Sequence, residues 1–84
     1  MPVEKIEILT TSGTSILGVS DQSLTLKDKQ SLVGGPIEPV KIFYKGKERI
    51  MWLNEEGLLQ HLPHNLKAST LADQVIVGNV FIER

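Results

Sequence analysis

The sequence predicts an α+β fold, a small and mostly antiparallel β-sheet of four to six short strands with two short helices on one face. Three observations point there. Val- and Ile-rich runs of strand length recur along the chain with turn formers between them. Two short segments carry helix caps instead of strand alternation, and Gly34-Gly35-Pro36 divides a helical stretch from a β-rich one. With 84 residues, 40% of them hydrophobic and 5% aromatic, the chain has room for a single domain over 1–84 with a thin core.

Val3 to Leu9 reads as the first strand, with Glu4, Ile6 and Ile8 on one phase and Lys5, Glu7 and Leu9 on the other. Thr10 to Ser15 is a cluster of turn formers around Gly13, and Ile16 to Val19 is a short apolar return, so the first 24 residues form a hairpin. Leu24 to Val33 is a helix with Thr25 as cap, Asp28 in the positive first turn, and Leu26, Gln30 and Val33 near one face. Gly34 and Gly35 followed by Pro36 is the order in which a left-handed cap ends a helix and proline prevents its continuation.

Ile37 to Tyr44 and Arg49 to Leu53 are two further strands joined by the polar loop Lys45 to Glu48. Val40, Ile42 and Tyr44 share a face in the first run and Ile50 and Trp52 share one in the second, which places this hairpin at the centre of the sheet. Pro36 and Pro39 keep the start of its first strand out of a full ladder. Asn54 to Gly57 is a turn, and Leu58 to Pro63 an apolar connection. Asn65 then caps a second helix reaching Ala72, with Ala68, Leu71 and Ala72 inward. Val75 to Glu83 is a last strand interrupted at Gly78-Asn79 by a bulge or a tight turn.

Nine Lys and Arg against ten Asp and Glu leave a net charge of −1 and an isoelectric point near 6.1, so no global field draws the protein onto nucleic acid or an anionic membrane. Nucleic acid is therefore not an expected partner. There is no cysteine, hence no disulfide, thiolate or zinc knuckle, which fits a cytoplasmic protein. The opening MPVEKIEILTTSG lacks the layout of an export signal, and no apolar run is long enough to span a bilayer.

Three blocks carry a family resemblance: Val33-Gly34-Gly35-Pro36-Ile37-Glu38, then Asn54-Glu55-Glu56-Gly57 with Pro63 and Asn65 downstream, then Val75-Ile76-Val77-Gly78-Asn79-Val80. In order and spacing over residues 25–83 the chain resembles domain of unknown function 3846, a family of small proteins from phages and other mobile elements. Pro36 departs from the pattern, standing where an aromatic is expected, and residues 1–24 lie outside it. The resemblance brings no catalytic residues. It implies an accessory role in a mobile-element genome, acting in the cytoplasm of a host cell.

No catalytic constellation is legible, and an enzyme is not expected. His61 and His64 stand three apart, but Pro63 between them breaks a helical presentation and no third ligand is fixed by spacing, so they read as loop residues without metal. Glu55-Glu56 are adjacent in a turn and point apart. Gly34-Gly35 follow a helix, so they form a cap rather than a phosphate cradle. No cofactor motif is present.

Two candidate ligand groups remain. The start of the second helix offers backbone N–H groups at Asn65, with His64 and Lys67 beside it. The hairpin gathers Lys41, Lys45, Lys47 and Arg49 with Tyr44 and Trp52 nearby, the mixture that stacks bases and holds phosphates, although lysines also serve to keep a hairpin tip soluble and Trp52 to anchor a core poor in aromatics. From Asn65, Lys67, His64, Lys45, Lys47, Arg49 and Tyr44 the expected function is binding and sequestering a nucleotide-derived host defence signal. The competing expectation is a protein-interaction module that inhibits a host factor through an exposed edge or the Asn54 to Gly57 turn. A homo-oligomer is also expected, because the last strand carries apolar residues on both faces and the helices offer few to cover the second.

Overall fold

A computed structural model describes residues 4–20 and 24–83, so the expected start of the first strand at Val3 lies outside them. The elements are β1 (Glu4–Leu9), β2 (Ser15–Ser20), α1 (Leu26–Val33), β3 (Ile37–Tyr44), β4 (Lys47–Asn54), α2 (Leu66–Ala72) and β5 (Val80–Glu83). They build an α+β domain around a five-stranded sheet of order β2-β1-β5-β4-β3 in which every pairing is antiparallel.

The centre of that sheet is β5, not the β3–β4 hairpin that strand composition suggests. Val80, Phe81 and Ile82 are consecutive and all buried, so this strand must have neighbours on both sides and cover on both faces. By contrast β3 carries Pro39, Lys41 and an exposed Phe43, and it lies at an edge.

The two helices lie on opposite faces of the sheet, not on one. Against α2 pack Leu9, Ile42, Met51, Leu53, Val80 and Ile82, with Ala68, Leu71 and Ala72 supplied by the helix. Against α1 pack Ile6, Ile8, Trp52 and Phe81, with Leu32 and Val33 supplied by the helix and Leu24 from just before it. The second apolar face of β5 is therefore covered within the chain, and it does not itself call for a partner subunit.

Local chemistry fixes the helix ends. Thr25 and Asp28 form a reciprocal capping box, each backbone N–H donating to the other's side chain at 3.1 Å, so α1 starts at Leu26 and not at Leu24. This phase leaves Leu26 exposed and turns Leu32 and Val33 inward. Gly34 ends the helix at φ +83° and its N–H donates to the Gln30 carbonyl. In the last segment only Val80–Glu83 joins the ladder, while Val77 makes an isolated bridge with His64. Gly78 between them is a tight turn at φ +79°, where a Cβ would lie 2.7 Å from Leu62 Cδ1.

Candidate functional site

The loop expected over Lys45 to Glu48 is a two-residue turn, with Lys45 at φ +51° and Gly46 at φ +84° and Tyr44 paired to Lys47 across it. The tip it presents is tied back to the sheet by a residue the sequence reading did not select. Glu7 on β1 is only 2% exposed, and its carboxylate accepts hydrogen bonds from Ser15 Oγ at 2.5 Å, Tyr44 Oη at 2.8 Å and Lys45 Nζ at 3.4 Å. Burial works to raise its pKa, but the Ser15 and Tyr44 hydrogen bonds and the Lys45 ammonium outweigh that, and the carboxyl lies below its ordinary value. The signal in the sequence was the shared phase of Glu7 and Leu9, which sets an acid on the face that α2 covers.

This network divides the basic hairpin. Lys45 faces Glu7, Lys41 pairs with Glu48 at 3.2 Å in an exposed ion pair, and Arg49 Nε donates to the Tyr44 carbonyl at 2.9 Å. Lys47 is exposed on β4. Tyr44 and Trp52 do not converge, since Tyr44 packs with the α2-side cluster and Trp52 with the α1-side cluster. There Lys29 lies over the indole at 5.2 Å while pairing with Glu83 at 3.0 Å, and the Trp52 Nε1 is buried without a partner among the described residues.

The α2 group is likewise structural at its centre. Asn65 is fully buried; its Oδ1 accepts from the Ala68 N–H at 3.1 Å, and its Nδ2 donates to the carbonyls of Leu9 at 3.0 Å and Gly78 at 2.9 Å. It caps the helix and joins it to the end of β1 and to the Gly78 turn. His64 is exposed with Nε2 3.1 Å from Ser69 Oγ, and Lys67 is exposed in the first turn. His61 is exposed at φ +54°. Among the described residues no three His, Cys, Asp or Glu side chains gather where a metal could be held.

A different surface stands out at the other edge of the sheet. The β2 strand, SILGVS, contains neither charge nor proline, and Leu17 and Val19 are 64% and 72% exposed. Its backbone direction follows from the β1–β2 turn, where the Gly13 N–H bonds to Thr10 O and the Thr10 N–H to Thr14 O. Hydrogen-bonded and non-bonded pairs alternate from there along the ladder, so Ile16 and Gly18 bond to Ile8 and Ile6 while Ser15, Leu17 and Val19 turn their N–H and C=O outward. A groove of about 340 Å³ flanks the strand on the α1 side, lined by Ile6, Gly18, Leu24 and Leu32 with Asp28 among its polar groups. Another of about 410 Å³ includes Leu17, Gly18, Lys5 and Arg49.

These features define a small α+β domain with polar networks that serve the fold and one apolar, unpaired strand edge. The family model described as Domain of unknown function (DUF3846) matches residues 5–83, and the chain belongs to that family. The match takes in β2 and all of β1 but Glu4, beyond the residues 25–83 that carry the resemblance. No curated protein and no solved structure matches the chain. Among the described residues no helix is long and apolar enough to cross a membrane.

Proposed function

We propose that the protein is a non-catalytic protein-interaction module whose docking element is the outer edge of β2. The observation that carries this reading is the contrast between the two edges of one sheet. Edge strands present unpaired backbone groups, and proteins guard them with charge or proline where pairing is to be avoided. Here β3 has Pro39, Glu38 and Lys41, whereas β2 has no such guard and exposes Leu17 and Val19. Strand addition uses main-chain hydrogen bonds for affinity and alternate side chains for specificity, and β2 supplies both.

Nucleotide sequestration is less well supported. Lys45 and Tyr44 engage Glu7, Lys41 engages Glu48, and the two aromatics belong to different faces, so stacking and phosphate contacts do not meet at one place. Amide chemical shifts of the labelled chain separate the two readings. A synthetic peptide of the β2 sequence is expected to move the Leu17 and Val19 amides, and nucleotides carrying phosphates are expected to leave Tyr44 to Arg49 unmoved. The reverse pattern contradicts the interaction reading.

A further inference from the structure

We infer that the strand added at β2 is the β2 of a second copy of this chain, antiparallel and centred on Leu17; this rests on the interaction reading above and names its partner. Identical strands can pair along their outer edges only if the pattern is self-complementary. Three features of β2 make it so. First, the outward groups belong to Ser15, Leu17 and Val19, so a two-fold axis at Leu17 sets Leu17 against Leu17 and Ser15 against Val19 in hydrogen-bonded pairs. Second, a charged residue near the axis would meet its own like charge in the other copy, and Ser15–Ser20 has none.

Third, the same axis sets Ile16 of one copy opposite Gly18 of the other, in a non-bonded pair where the side chains come closest. Both positions belong to the α1 side of the sheet, since they pair with Ile8 and Ile6. Ile16 is 47% exposed and projects as a knob. Gly18 has no side chain, and beside it lies the groove of about 340 Å³ lined by Ile6, Leu24 and Leu32. A Cβ at Gly18 would already meet Ile6 Cγ1 at 3.1 Å, so glycine keeps this position open. Each copy thus offers the knob and the hole that the other needs, one residue either side of the axis, and the two sheets join into one of ten strands.

Cysteine chemistry tests this directly, because the chain has no cysteine of its own. Facing Cα atoms in such a pair stand about 5.5 Å apart, within disulfide reach. Mild oxidation of Leu17→Cys is expected to give a covalent dimer, whereas Phe43→Cys on the opposite edge cross-links only at the rate of random collision. In sedimentation the unmodified chain is expected at twice its 9.3 kDa, and Ile16→Lys weakens that dimer roughly a hundredfold, since symmetry counts each substitution twice. Val19→Pro, which removes an outward N–H and no bond to β1, weakens it as well, and melting curves verify that both variants fold.

A dimer that persists in Ile16→Lys, or a Leu17→Cys variant that cross-links no faster than Phe43→Cys, overturns the inference. A chain that stays at 9.3 kDa up to millimolar concentration also overturns it. If that monomer still binds the β2 peptide through Leu17 and Val19, the interaction reading stands and only the second copy is wrong; if it does not, both fall.

Discussion

At the scale of single residues, the glycines and the buried acid carry the clearest consequences. Gly34 sits at φ +83° with nothing within 4 Å of where a Cβ would be, so Gly34→Ala meets backbone strain alone and is expected to cost about 1 kcal/mol. Gly78→Ala meets similar strain and also the Leu62 side chain, and should lower the melting temperature further. Glu7 makes stability depend on pH. Its pKa in the fold is below the ordinary 4.5, so its contribution is complete above that value and is lost as pH falls through it towards the lower one. Tyr44→Phe removes a charge-assisted hydrogen bond and should cost about 1–3 kcal/mol near neutral pH, with a smaller difference in acid, as urea titrations at the two pH values would show.

At the scale of elements, what the sequence made legible was what neighbours in the chain decide. The Thr25 cap, the Gly34 stop, the Asn65 cap and the inward set Ala68, Leu71 and Ala72 follow from residues within a turn of one another. The order of strands and the faces taken by the helices depend on contacts remote in sequence, and those were not legible: β5 pairs with both β1 and β4, and α1 and α2 settle on opposite sides. The same holds for the candidate site. The acceptor for the Tyr44 hydroxyl is 37 residues away on β1, and nothing in the spacing of the hairpin cations announces it. Asn65 was legible as a cap, but its bonds to Leu9 and Gly78 make it a joint between three segments. Asn65→Ala should therefore cost more than an ordinary exposed cap, about 2–4 kcal/mol in chemical denaturation, because two buried carbonyls lose their donor.

At the scale of the whole molecule, the fold closes its own core and leaves one of its two edge strands, β2, without charge or proline. Both faces of β5 are covered by helices of the same chain, and β3 is guarded by Pro39 and Lys41. The outward backbone of β2 is where association would add hydrogen bonds without disturbing anything already formed. Residue-resolved amide hydrogen exchange at increasing protein concentration, and with the β2 peptide added to the dilute chain, tests this most directly. Ile16 and Gly18, bonded to β1, should exchange slowly throughout, while Leu17 and Val19 should pass from fast exchange in the dilute chain to equally slow exchange as pairing sets in. Leu17 and Val19 amides that exchange at the rate of an open loop at every concentration and with the peptide in excess would contradict the assignment of β2 as the interaction edge.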